Sequence, residues 1–207
     1  MIVLIMNGEK FIFLKKYLKS YDSKLLVVTK NQNIESIDEL ILLGQKEFGE
    51  NRVQEAKNKF EKIKNVKIHL IGRLQTNKVK EALNCFDVIQ SIDRERLVLE
   101  IVKHHNHNSR TKEFYIQINI GEESQKGGIY PENIKTFYDF CIEKKMNIIG
   151  LMCIPPKQNV EKYFEKMVAI KKQLNNKLLL SMGMSNDFKI ALKYESNLIR
   201  IGSYIFD

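Results

Sequence analysis

The sequence predicts an α/β protein built as a single (β/α)8 barrel of the TIM type, and three observations predict it. Eight short, apolar, β-rich segments recur along the 207 residues, alternating with stretches whose apolar residues have helical spacing. That alternation makes parallel βαβ units, and eight of them can close on themselves. The Gly-x-Gly-x-x-Gly turn that commonly follows the first strand of an open doubly wound sheet is missing, which disfavours the main rival. No low-complexity linker or long loop interrupts the rhythm, so residues 1–207 are expected to form one domain, with residues 8–19 as a helix preceding the first strand.

The elements follow in order. Glu9 to Leu18 carries Phe11, Leu14 and Leu18 at helical spacing. Leu25–Val28 is the first strand, and Ile34 to Leu43 its helix, ended by Gly44. Glu47–Gly49 leads to a helix from Arg52 to Ile63, and Lys67–Ile71 to one from Asn77 to Leu83. Val88–Ile92 is the fourth strand, with Asp93 as the expected N-cap of a helix over Arg94 to Lys103. Phe114–Ile120 precedes a helix that starts near Pro131 and runs to Lys145. Ile148–Met152, Leu178–Ser181 and Leu198–Ile201 complete the strands, with helices over Val160 to Leu174 and Asn186 to Tyr194 between them.

Composition narrows the function classes. The net charge of +9 suits phosphorylated ligands or nucleic acid. However, the lysines are spread between acids and form no basic block, so solvated faces are expected and no nucleic-acid partner. Three cysteines, Cys85, Cys141 and Cys153, form no C-x-x-C pair, as in a cytoplasmic protein with reduced thiols. The opening Met1–Met6 is too short for a signal or a membrane span, and either methionine could be the start. His104-His-Asn-His107 reads as a solvated turn without metal-ligand spacing.

The chemistry is expected where such barrels place it, at the C-terminal ends of the strands, with phosphate bound in the loops after strands seven and eight. Gly183-Met-Ser185 and Gly202-Ser203 occupy those two loops. Arg200 interrupts an apolar strand, and a buried cation costs several kcal/mol unless it has a partner or a purpose. The other strand ends offer Lys30, Asn51, Gly72, Asn119 and Met152. A lysine at the mouth of an apolar barrel is partly desolvated, which frees its amine to attack a carbonyl. A cofactor with both an aldehyde and a phosphate, pyridoxal 5′-phosphate (PLP), would use Lys30 and the two loops together.

Seven ordered blocks then make the chain similar to a known family. They are Leu25-Leu-Val-Val-Thr-Lys30, Phe48-Gly-Glu-Asn-Arg-Val-Gln-Glu55, His69-Leu-Ile-Gly-Arg-Leu-Gln-Thr-Asn-Lys78, Gln117-Ile-Asn-Ile-Gly-Glu-Glu123, Gly150-Leu-Met152, Ser181-Met-Gly-Met-Ser185 and Ile199-Arg-Ile-Gly-Ser203. Over Leu25 to Phe206 the chain resembles the pyridoxal-phosphate homeostasis proteins. The resemblance implies an alanine-racemase-like barrel of PLP fold type III, without the C-terminal β domain of the racemases. It implies a Schiff base on Lys30, phosphate held by Ser185, Gly202 and Ser203, Arg200 facing the pyridine nitrogen, and Asn51 near the ring. It also implies a monomeric carrier or buffer of PLP without established turnover, with apo PLP-dependent enzymes as partners.

The chain departs from the family pattern at a few positions. Thr29 replaces a serine, Arg52 stands where tyrosine is common, and Asn31-Gln-Asn33 lacks the proline that usually follows the lysine, so a looser turn is expected there. The chain stops at Asp207, where family members usually continue. The alternative function is a weak PLP-dependent racemase or lyase, with Tyr115 or His69 as the second base. Racemisation needs proton-transfer groups on both faces of the α-carbon.

Overall fold

The computed structural model describes residues 6–207, so most of the apolar opening lies outside the described residues. Eight parallel strands close into a barrel in chain order, β1 Lys24–Val28, β2 Glu47–Glu50, β3 Lys67–Leu70, β4 Val88–Ile92, β5 Glu113–Ile118, β6 Ile148–Cys153, β7 Leu179–Ser181 and β8 Leu198–Ile201. Closure is the pairing of β1 with β8, in register from Lys24 opposite Leu198 to Val27 opposite Ile201. The fold is the TIM barrel expected.

Helices α1 Gly8–Tyr17, α2 Ile34–Leu42, α3 Val53–Phe60, α4 Val79–Cys85, α5 Glu95–His104, α6 Ile134–Glu143, α7 Val160–Leu174 and α8 Phe188–Lys193 surround it. Boundaries differ from the sequence reading by a few residues, chiefly where helices begin or end in 3-10 turns, as at Leu18–Ser20, Thr76–Lys78 and Pro131–Asn133. Asp93 is not the N-cap of α5. Arg94 holds that position without a side-chain cap bond, and the Asp93 carboxylate instead pairs with the guanidinium groups of Arg73 and Arg94. A ninth helix, α9 Ser203–Phe206, follows β8 where the sequence reading had only a turn.

Strand alternation divides the protein into two interiors. Outward residues such as Leu25, Val27, Ile68, Leu70, Ile199 and Ile201 join the large apolar core under the helices, with Phe11, Phe60, Phe86 and Phe164. Burying each such side chain contributes about 1.5–3 kcal/mol, so this shell carries most of the stability. The interior of the barrel is different. Its floor is charged, with Lys24 paired to Glu47 at 3.3 Å and Lys67 paired to Glu113. Above the floor Val88, Tyr115 and Met152 form a small apolar layer. Gly150 makes room for the Tyr115 ring, because a Cβ there would lie 2.4 Å from a ring carbon.

Candidate functional site

At the C-terminal end of the strands a cavity of about 530 Å³ opens, within the range of small-molecule sites. Its lining includes Lys30, Asn51, Met184, Arg200, Gly202 and Ser203, drawn from the ends of β1, β2, β7 and β8. Five of the six expected site residues therefore meet at one mouth. The sixth, Ser185, lies just behind the lining. Its hydroxyl accepts a hydrogen bond from the Tyr204 amide at 3.1 Å, tying the loop after β7 to α9. Within that loop Gly183 has φ +95°, and a Cβ would press on the Ala191 methyl at 2.7 Å. Both facts require glycine.

A larger cavity of about 810 Å³ lies beside this one, behind the loops after β2 and β3, and shares Asn51, Gly72 and Arg73 with it. It contains neither Lys30 nor Arg200, which both line the smaller cavity.

Arg200 is 4% exposed. A salt bridge to a neighbour would have been the ordinary explanation for its presence in a strand, and the structure holds it otherwise. Nη1 donates to the Ser181 carbonyl at 2.6 Å and to the Ser181 hydroxyl at 2.9 Å, and Nη2 donates to the Cys153 carbonyl at 2.7 Å. All three acceptors are neutral. A guanidinium has five N–H donors, and these contacts use three, leaving two without a protein partner among the described residues on a side chain that lines the cavity. Burial lowers its pKa, yet an arginine remains charged in a protein. Among the described residues no carboxylate forms a salt bridge with this charge, although Asp187 acts on it through space and Asp207 lines the same cavity.

The contacts continue downward through the barrel. The Ser181 hydroxyl donates to Gln90 Oε1 at 2.7 Å, and Gln90 Nε2 donates to His69 Nδ1 at 2.8 Å. That direction makes Nδ1 the acceptor and puts the proton on Nε2, which stands 3.3 Å from Glu47 but off hydrogen-bond alignment. Burial lowers the His69 pKa against the opposing pull of Glu47, consistent with a neutral ring. One row of polar side chains thus joins the cavity floor to the charged base of the barrel. The sequence reading missed Gln90, although a glutamine inside the apolar run of β4 was its visible signal.

Lys30 is organised in the opposite way. It is exposed, so the desolvation expected at the mouth is not seen, and its ammonium makes no hydrogen bond or ion pair among the described residues. It sits inside a tight turn in which the Gln32 amide donates to the Thr29 carbonyl at 3.0 Å, with Asn31 at φ 61°.

Other strand-end expectations resolve differently. Asn119 does not line this cavity. Its side chain accepts from the Glu123 amide and donates to the Glu123 carbonyl, folding the loop that follows β5. Met152 is buried in the barrel below the mouth. Tyr115 and His69 are also buried below the cavity and do not line it, and burial raises the Tyr115 pKa. His104 pairs with Glu100 at 2.9 Å, a carboxylate the sequence reading had not connected to it, and His105 bonds the Thr111 carbonyl. Among the described residues no group of histidine, cysteine and carboxylate side chains is arranged to hold a metal.

Comparison with known proteins agrees with this fold. The pyridoxal phosphate homeostasis protein of Aquifex aeolicus is 38% identical over 196 residues, covering 89% of this chain and 86% of that protein. PipY of Synechococcus elongatus PCC7942, solved with PLP bound, superposes with a TM-score of 0.82 at 27% identity, covering 96% of this chain and 99% of that one. The alanine racemase of Acinetobacter baumannii shares the fold, with a TM-score of 0.77 at 15% identity, over 97% of this chain and 61% of the racemase. The profile of the alanine racemase N-terminal domain matches residues 11–207. The chain thus belongs to the alanine racemase N-terminal domain family and, within it, to the pyridoxal phosphate homeostasis proteins.

Proposed function

We propose that this protein binds PLP at the barrel mouth and serves PLP homeostasis as a carrier or buffer, held through Lys30. The observation that carries the proposal is Arg200, a buried cation with neutral partners and two free N–H donors on the wall of the cavity that Lys30 also lines. The fit to the cofactor rests on that donor set. A pyridine nitrogen is a neutral acceptor that matches the free donors, and Lys30 offers an amine for the aldehyde end. Ser185, Gly202 and Ser203 would hold the phosphate, and Asn51 would flank the ring. Single-domain organisation over residues 1–207, a monomeric state, a cytoplasmic location and transfer to apo PLP-dependent enzymes belong to the same reading. Among the described residues no helix is long and apolar enough to cross a membrane.

PLP, when bound, supplies an electron sink for charge developing on an attached substrate carbon. The residues here favour holding over reacting. Arg200 would donate a hydrogen bond and keep its proton, so a ring nitrogen facing it would stay unprotonated and the sink would be weakened. Exposure of Lys30 leaves the attachment point open to solvent and to an acceptor amine, which suits release. Tyr115 and His69, the second bases a racemase reading would use, are packed below the cavity.

The test is optical. Purified protein loaded with PLP should show an absorbance band near the visible edge that is lost in Lys30→Ala. Loaded protein should then activate an apo PLP-dependent enzyme with kinetics different from free PLP. An unchanged band in the variant sinks the assignment of Lys30. Deuterium exchange at the α-carbon of amino acids, if faster than with free PLP, would favour the racemase alternative.

A further inference from the structure

Lys30 is free at its tip and tied at its root. Lys59 lies on α3, one turn from Glu55, and its side chain is 10% exposed. Its ammonium donates to the Thr29 carbonyl at 2.6 Å, to Glu50 Oε1 at 3.0 Å and to Glu55 Oε1 at 2.8 Å. All three of its protons are engaged. Glu55 Oε1 also accepts from the Asn31 amide at 2.8 Å. Glu50, fully buried at the end of β2, accepts from the Thr29 hydroxyl at 2.7 Å.

The Thr29 carbonyl belongs to the peptide bond before Lys30, and the Asn31 amide belongs to the peptide bond after it. One ion pair therefore grips both peptide groups of the same residue. We propose that Lys59 and Glu55 are positioning residues that clamp the backbone of Lys30, aiming its otherwise unrestrained side chain into the cavity. The proposal rests on the reading of Lys30 as the PLP attachment point.

Two further observations support the clamp. Asn31 has φ 61°, a conformation that a residue with a side chain adopts at a cost and keeps when its surroundings hold it. The turn also lacks the proline expected from the family pattern, which would have stiffened it covalently. Here a buried ionic network from the neighbouring βα unit takes that place. An exposed lysine pays little to be placed anywhere, so without such an anchor its amine would sample many positions around the mouth.

The experiment separates aim from integrity by using two ligands. PLP needs Lys30 for attachment, whereas 4′-deoxypyridoxine 5′-phosphate keeps the ring and phosphate but lacks the aldehyde. Glu55→Gln retains the buried Lys59–Glu50 pair while weakening the hold on Asn31. It is expected to slow formation of the lysine-bound band about tenfold, while the Kd for the deoxy analogue changes less than about twofold. The double variant K59M/E50Q, which removes both buried charges together, should give the same selective loss and covers the case in which Glu55→Gln folds poorly. Equal weakening of both ligands makes the network purely structural and overturns the clamp, as does an unchanged rate of band formation. Lys30→Ala, run alongside, keeps the two ideas apart. If it retains the band, the attachment point itself is wrong, whatever Glu55→Gln does.

Discussion

Lys30 and Arg200 are two cations on one cavity, and they are built by opposite means. Arg200 is fixed through its side chain. Its guanidinium is out of water and aligned by three neutral acceptors on β6 and β7. Lys30 is fixed through its backbone. Its ammonium is in solvent and without partners among the described residues, while the peptide groups on either side are tied to Lys59 and Glu55. The difference follows the work proposed for each. A group that only donates a hydrogen bond can be locked, and locking it in a low-dielectric place strengthens its field. A group that must form and release a covalent bond needs a free tip on a fixed stem.

The sharpest way to break this comparison is to remove each cation. Arg200→Met should destabilise the protein by about 3 kcal/mol in chemical denaturation, because buried acceptors lose their donors. Lys30→Ala should change stability by less than about 0.5 kcal/mol, as expected for an exposed residue, while abolishing the PLP band. Similar stability losses in the two variants would refute the contrast.

Next in size is the loop after β7. Gly183→Ala forces a side chain into φ +95° and onto Ala191. About 2 kcal/mol of stability should be lost, together with phosphate-dependent retention of PLP, measured by dialysis against buffer.

Ser181→Ala tests what keeps Arg200 aimed. It removes both an acceptor of the guanidinium and the donor to Gln90. A cost of about 1–2 kcal/mol is expected, with a shift in the PLP absorbance maximum if the guanidinium turns. An unshifted maximum would mean that the two backbone carbonyls suffice to aim it.

The smallest effect is a pH dependence from the far end of the same row. His69 is buried, and its pKa in the folded state is lowered. The unfolded chain thus binds the His69 proton more readily, and stability rises with pH across the interval between the two values. This contribution is complete above about pH 6.5, the ordinary histidine value, and is lost as pH falls through the lower folded value. Denaturation curves of the wild type and His69→Gln should diverge on acidification below that point. Parallel curves would remove His69 as their cause.

The fold was legible because local patterns carry it. The apolar runs at Leu25–Val28, Val88–Ile92 and Leu198–Ile201 report strands whose outward residues meet helices, and each following helical stretch reports a crossover. Helix starts were less legible, as Asp93 illustrates. Its type suits an N-cap, but the nearby Arg73 and Arg94 compete for the carboxylate and win. Lys30, Asn51, Arg200, Gly202 and Ser203 were legible as a site because counting strands assigns them to one end of a barrel. Gln90, Lys59 and Glu55 were not, since a polar residue within a strand or on a helix carries no mark of its partner 20 or more residues away.

What the sequence determined by itself is the order of elements, the barrel they close into and the chemical groups placed at its mouth. These follow from periodicity of two and of 3.6 residues and from residue type at strand ends. The tertiary structure decided how each group is held. How Arg200 is held depends on the way β8 lies against β6 and β7 in the barrel, and how Lys30 is held depends on the way α3 folds back over the turn after β1. Hydrogen bonds act within about 3 Å, and only closure brings such distant stretches of the chain that close together.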